Sequence, residues 1–260
     1  MKYETLEIQI EDDVATVYLN RPEVHNAMNE AMMKELTNFF KNIVEKKTVR
    51  IIVLTGKGKS FSAGADLNWM KSMANYDKKD NIKDSKLLSD LFESIYNCPK
   101  PTIAKVNGHA FGGGLGLFAV CDIAIAVTDC KFAFSEVKLG IMPSVISTYI
   151  VRRIGLANMR RLFLTGERFS SDYAQDIGLI DFVFTEDEIE KKIKKYIDIF
   201  RSSGPIAIIE IKKLVDSCER MDRDRYIEHT IEKIAELRVS EEGQEGINAF
   251  LNKRKSNWSG

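Results

Sequence analysis

Cysteine, histidine, proline and tryptophan are scarce in this chain of 260 residues, with four, three, five and two copies. Cys98, Cys121, Cys130 and Cys218 are scattered and show no C-x-x-C spacing, which argues against a disulfide framework and against zinc. They read as buried thiols, and no metal is expected. Net charge is lacking too, since lysine plus arginine total 38 and aspartate plus glutamate total 38. No overall field exists to recruit nucleic acid or an anionic membrane. No apolar run approaches the roughly 18 residues of a membrane span, and the chain opens at Met1-Lys2-Tyr3-Glu4-Thr5 without an apolar leader-like stretch. A soluble, cytoplasmic protein with no membrane partner is expected.

What is present is an alternation of strand-like and helix-like stretches. Thr5–Ile10 and Val14–Leu19 flank the acidic turn Glu11-Asp12-Asp13 and read as a β-hairpin. Asn29 is placed to cap a helix whose apolar residues are Met32, Met33, Leu36, Phe39, Phe40, Ile43 and Val44. Val49–Thr55 and Thr102–Val106 read as buried strands, with a helix over Ile82–Tyr96 between them. Further strands are expected at Asp122–Val127, Lys131–Phe134 and Leu179–Phe184, and helices at Ile146–Ile154, Ala157–Leu164 and Ser170–Gly178. From Gly204 onward the pattern is charged, helical and free of strand signals. The expected organisation is an α/β core over 1–203 and a helical appendage or subunit-contact region over 204–260.

The chemistry concentrates in Phe111-Gly112-Gly113-Gly114-Leu115-Gly116-Leu117. No Gly-Lys-Ser/Thr closes this loop, and Leu117 stands where the last glycine of a dinucleotide fingerprint belongs. Tight helix packing and close backbone approach to a ligand remain, and three glycines at a helix start cost more than packing alone explains. Amides at such a start carry positive partial charge and can stabilise an enolate oxygen. Gly113 is the nominated donor. A second donor is sought in Phe61-Ser62-Ala63-Gly64-Ala65-Asp66-Leu67, at Ala63. Ser62 is no hydrolase nucleophile, because its surroundings do not fit G-x-S-x-G and no histidine has an obvious aspartate partner. His109 reads as structural. Glu136, among Phe132, Phe134, Val137 and Leu139, is a carboxyl whose burial would raise its pKa into a range useful for proton transfer.

Asn26-Ala27-Met28, Ser62-Ala63-Gly64-Ala65-Asp66-Leu67, Val106-Asn107-Gly108-His109-Ala110-Phe111-Gly112-Gly113-Gly114 and Cys121-Asp122-Ile123-Ala124 together resemble the crotonase (enoyl-CoA hydratase/isomerase) superfamily. The resemblance runs over essentially the whole chain. It implies a spiral of ββα repeats with a C-terminal helical trimerisation region, assembled as a homotrimer or a dimer of trimers. It further implies an acyl-CoA or acyl-carrier thioester held between two backbone amides, here Ala63 and Gly113. Coenzyme A is then part of the substrate, and no separate cofactor is expected. Ala27, Ala65, Asp66, Leu67 and Gly112 would line the substrate path, while Phe250 and Lys253 would reach a neighbouring subunit's CoA.

Hydratases of this family typically carry two glutamates. Counted from Gly113, the first falls at Gly116 and the second at Glu136, so this chain has only the second. One carboxyl suffices to shift a double bond, and one carboxyl working through a single water also suffices for hydration. A decarboxylase and a noncatalytic scaffold are the remaining rivals. The run Phe134-Ser135-Glu136-Val137 through Pro143-Ser144-Val145-Ile146-Ser147 looks like bacterial 3-methylglutaconyl-CoA hydratases and the dehydratases of polyketide β-branching. That likeness favours a hydratase acting on a short, branched acyl group. Arg152 and Arg153 are considered for a substrate carboxylate, with surface ion pairing as the commoner role for helix arginines.

Overall fold

A computed structural model describes residues 3–73 and 75–259. The alternating N-terminal stretches form the antiparallel hairpin β1 (Leu6–Glu11) and β2 (Val14–Leu19), turning through Asp12 at a positive φ of 52°. Helix α1 (Glu30–Ile43) starts where Asn29 Oδ1 accepts from the Met32 N–H at 2.9 Å, and its apolar stripe is buried. The cap and the periodicity agree with the sequence except at Val44, which lies just beyond the helix and is exposed.

From there the chain repeats one manoeuvre. β3 (Ile51–Gly56) leads into β4 (Ser60–Ser62) and then helices α2 (Leu67–Met73) and α3 (Lys78–Tyr96). β5 (Thr102–Val106), β6 (His109–Phe111) and α4 (Gly113–Ala119) follow, and then β7 (Ile123–Val127), β8 (Lys131–Ala133) and α5 (Ser144–Thr165). In each turn the first strand joins one sheet and the second strand joins another. After β9 (Phe169–Ser170), α6 (Ser171–Asp176) and β10 (Phe182–Phe184), the first sheet reads β1-β2-β3-β5-β7-β10 and the second β4-β6-β8-β9. All pairings from β2 to β10 in the first sheet are parallel. This is the ββα spiral that the resemblance implies, an α/β fold. Strand β3 is buried along its whole length, which accounts for its unbroken apolar run.

The structure departs from the expected elements at several places. α3 begins at Lys78 and not at Ile82, because the Asp77 side chain caps it there; its first turn is polar and exposed and carries no apolar residue that would mark it in the sequence. α5 is broken at Gly155 (φ 68°, ψ 169°), which agrees with two helices, Ile146–Ile154 and Ala157–Leu164. The expected strand Leu179–Phe184 shrinks to β10, since Leu179 and Ile180 turn back to donate to the Ala174 carbonyl. Cys98, Cys121 and Cys130 are buried, but Cys218 is exposed.

The chain divides into two compact units, one of residues up to Cys98 with Thr102–Ile193, the other of Pro99–Pro101 with the residues from Lys194 onward. The division falls within α7 (Glu186–Ser202), upstream of the change in composition at Gly204. The second unit continues through α8 (Pro205–Arg220), α9 (Arg223–Val239) and α10 (Glu241–Leu251). Pro205 opens α8, whose Ile206 and Ala207 N–H groups donate to the Glu242 carboxylate at 2.9 and 2.8 Å. Val215, Ile231, Val239 and Phe250 of this unit are exposed. No helix among the described residues is long and apolar enough to cross a membrane.

Candidate active site

The glycine loop stands where β6 ends and α4 begins. Gly112 takes φ 51° and ψ −129°, a conformation closed to ordinary side chains, and its N–H donates to the Ala133 carbonyl at 3.0 Å. A carbon added to Gly112 would sit 3.1 Å from Glu136 Oε1. The missing Cβ is therefore what lets the Glu136 carboxyl lie against the loop. Gly113 is the first residue of α4, and among the described residues its N–H has no acceptor.

Glu136 opens a short 3-10 turn, Glu136–Leu139, that follows β8. Its Oε2 is buried and has no hydrogen-bond partner. Burial pushes the carboxyl's pKa above the ordinary glutamate value, and its own backbone N–H opposes that only in part. An orphaned buried carboxylate oxygen beside an uncommitted helix-start amide is costly for stability. It is also the arrangement that proton transfer next to an oxyanion requires.

The second segment corrects the expected donor. The Ala63 N–H donates to the His25 carbonyl at 2.9 Å, so it is committed to holding the chain and does not face a ligand. Two residues on, the geometry reverses. Met28 N–H donates to the Gly64 carbonyl at 2.7 Å and Asp66 N–H donates to the Met28 carbonyl at 2.8 Å, forming the parallel bridge between Met28 and Ala65. In such a bridge the intervening amide, that of Ala65, points away from Met28. Ala65 is exposed, and its N–H has no acceptor among the described residues. Gly64, at φ 87° and with space for no Cβ beside the Phe111 carbonyl, makes the switch between Ala63 and Ala65 possible.

Gly116, where a first glutamate is absent, is not an open position. A carbon added there would lie 2.6 Å from both Ile146 Cγ2 and Phe92 Cζ. Both side chains are buried, and Phe92 packs edge-on to Tyr149 with ring centroids 6.1 Å apart. Hydrocarbon from α3 and α5 occupies the space. Neither residue carries a sequence motif, so only the fold reveals the replacement.

Other expected site residues have structural duties. Asp66 is buried; its Oδ1 accepts from the N–H groups of Asn68 (2.8 Å) and Trp69 (3.2 Å), and its Oδ2 pairs with Arg21 at 2.9 Å. Burial raises its pKa, but the Trp69 amide, Arg21 and the Asn68 amide outweigh this and hold it below the usual carboxylate range. The Asp66 carboxylate thus caps α2. Ala27 is buried and offers its carbonyl to Arg21, whereas Leu67 is 74% exposed and free to meet a ligand. Phe250 is 83% exposed, and Lys253 takes a positive φ of 52° just beyond α10. Ser62 is wholly buried and donates to the Asn26 carbonyl at 2.9 Å, and His109 Nδ1 accepts from the Lys131 N–H at 3.0 Å.

Arg153 donates to the carbonyls of Ala119 and Cys121 at 3.0 and 2.6 Å and pairs with Asp181 at 3.1 Å, so it finishes α4 and does not reach for a substrate. Arg152 is exposed and bonds Tyr96 Oη. Among the described residues no group of histidine, cysteine and carboxylate side chains is placed to hold a metal.

The family profile described as enoyl-CoA hydratase/isomerase matches residues 9–260. The chain belongs to this family. A crotonyl-CoA hydratase of Syntrophomonas wolfei is 32% identical over 260 residues, covering 99% of each chain. A 2,3-dehydroadipyl-CoA hydratase of Escherichia coli is 30% identical over 248 residues, covering 95% of each. Among solved structures, an enoyl-CoA hydratase from Shewanella pealeana superposes with a TM-score of 0.95 at 39% identity, covering 99% of this chain and 97% of the other. Pseudomonas aeruginosa AtuE does so with a TM-score of 0.95 at 34% identity, covering 99% and 100%. Like these crotonase relatives, the chain is an enzyme of the enoyl-CoA hydratase/isomerase class.

Proposed function

We propose that this crotonase-family enzyme adds water to, or removes it from, the 2,3 bond of a short branched enoyl-CoA such as 3-methylglutaconyl-CoA. The observation that carries the reading is the buried, unpartnered Oε2 of Glu136 lying beside Gly112 and the uncommitted Gly113 amide. Gly113 and Ala65 are the proposed oxyanion donors, with Ala65 taking the place first assigned to Ala63. Leu67, Ala27 and Gly112 flank the path of the thioester. Phe250 and Lys253 are proposed to meet a neighbouring subunit's CoA in a trimer or dimer of trimers, and a cytoplasmic location suits such a substrate.

In the hydration direction the Glu136 carboxylate orients one water and takes its proton as the oxygen bonds to C3. The electron pair of the 2,3 bond moves toward the thioester, and the negative charge collects on its oxygen between the two amides. Glu136, now a carboxylic acid, returns a proton to C2, so that H and OH have been added and the carboxylate is regenerated. A pKa raised by burial makes the carboxyl a stronger base toward water, and the acid formed can still return its proton to the carbanionic C2. With hydrocarbon at Gly116, no second acid stands at that position.

The single carboxyl also supports the alternative of a Δ3–Δ2 isomerase, which needs the same proton shuttle without water. Purified enzyme incubated with 3-methylglutaconyl-CoA and, separately, with a 3-enoyl-CoA tests both. Formation of the 3-hydroxy product with a mass gain of one water supports hydration. Conversion of the 3-enoyl-CoA to its 2-enoyl isomer with no hydrated product on either substrate overturns it.

A further inference from the structure

The segment that carries the Ala65 amide is held by contacts with Met28 and Arg21. Met28 brackets it through the bonds to Gly64 and Asp66, and its Cε would lie 2.9 Å from a carbon added to Gly113. One side chain thus spaces the loop at Gly113 from the segment at Ala65. This bridge is short, and short bridges slip unless something fixes their register.

Arg21 supplies that restraint. Its Nη1 donates to the Ala27 carbonyl at 2.7 Å, and its Nη2 pairs with Asp66 Oδ2 at 2.9 Å. The planar fork therefore joins the residue before Met28 to the residue after Ala65. Arg21 is itself fixed, since its N–H donates to Asn26 Oδ1 and its carbonyl accepts from the Asn26 N–H, both at 2.9 Å. The pair is well shielded, with side-chain exposures of 18% for Arg21 and 6% for Asp66.

We propose that Arg21 is a positioning residue, whose guanidinium locks Ala27–Met28 against Gly64–Asp66 and so aims the Ala65 N–H at the thioester oxygen. The proposal rests on the acyl-thioester reading above. Removing an oxyanion donor outright costs roughly a hundredfold to a thousandfold in turnover. Misaiming one while leaving it in place should cost about tenfold to a hundredfold.

The test uses full-length enzyme, butyryl-CoA labelled with carbon-13 at the thioester carbonyl, and difference infrared spectroscopy. Arg21→Met with Asp66→Asn removes the fork without leaving a lone buried charge, and Arg21→Lys keeps the charge but not the second bond. In the wild type the bound carbonyl band is expected to fall in frequency. In R21M/D66N it should move most of the way back to the free value, with kcat for the enoyl-CoA turned over in the assay above lowered tenfold or more, while KM for that substrate and the affinity for free CoA stay within threefold. R21K should lie between. A wild-type band and wild-type kcat in a folded variant overturn the proposal, as does a loss confined to KM and CoA affinity. Should the double variant not fold, a wild-type band in R21K is the overturning result. If the wild type itself fails to bind butyryl-CoA or leaves its carbonyl unshifted, the acyl-thioester reading falls first, and the proposal with it.

Discussion

Replacing Gly116 with alanine probes the space where a first glutamate is missing. Gly116 lies inside α4 and does not need a positive φ, so alanine there gains about 1 kcal/mol of helix propensity. Against this, the new carbon meets Ile146 Cγ2 and Phe92 Cζ at 2.6 Å, and Phe92 Cε1 at 2.9 Å. Carbon atoms pack best at about 3.5–4.0 Å, so both side chains must retreat by about an ångström. Phe92 and Ile146 are buried on all sides, and overpacking of this kind costs about 1–3 kcal/mol. The net expectation for Gly116→Ala is destabilisation of about 0–2 kcal/mol.

Urea unfolding of the single variants and of a double variant gives the decisive number. Phe92→Leu withdraws the ring atoms that the new methyl meets, so the double variant should be more stable than the sum of the singles by about 1 kcal/mol. Gly116→Glu adds a carboxylate to the same apolar space and should unfold the site without adding activity. A Gly116→Ala variant stabilised by its full helix-propensity gain, additive with Phe92→Leu, would refute the reasoning. So would a Gly116→Glu variant with higher turnover.

Glu136→Gln should lower kcat by about a hundredfold to ten-thousandfold, because proton transfer is lost while shape is kept. Folding measurements on the same variant check the linkage. A carboxyl whose pKa is raised in the folded state stabilises the protein below its unfolded pKa and loses that contribution as pH rises through the folded value. Wild type should therefore lose stability relative to Glu136→Gln as the pH climbs past that window, and parallel pH profiles would contradict a buried carboxyl. Gly112→Ala places a side chain at φ 51° and 3.1 Å from Glu136 Oε1, so it should cost about 1–3 kcal/mol and lower kcat at least tenfold. Unchanged turnover there would detach Glu136 from the loop. Arg153→Gln should cost about 2 kcal/mol in stability through lost charged hydrogen bonds and leave KM unaltered. A KM raised tenfold would return Arg153 to the substrate.

The glycine loop and the acid at Glu136 were legible as residues, because each is a matter of which side chain is present at a given spacing, and the gap at Gly116 was legible only through the resemblance to a family that usually carries two glutamates. The strands β3 and β7 were legible for a related reason, their burial demanding largely apolar runs, and β5 was legible in spite of Lys105, which is half-buried and pairs with Glu190. The polar start of α3 carried too little apolar period to be seen, whereas α7 does carry one, with Ile189 and Ile193 buried at helical spacing, and its charged composition masked it. What tertiary structure alone decided is which amides are left over. Ala63 and Ala65 have the same side chain and almost the same neighbours, yet one amide is spent on His25 and the other is not, because Gly64 at φ 87° turns the peptide planes between them so that the two amides face opposite sides while the chain runs on parallel to His25–Met28. A backbone donor has no sequence signature of its own, since its availability depends on which distant carbonyl happens to reach it. The same holds at Gly116, where the sequence records a missing carboxyl and only packing shows Phe92 and Ile146 in its place.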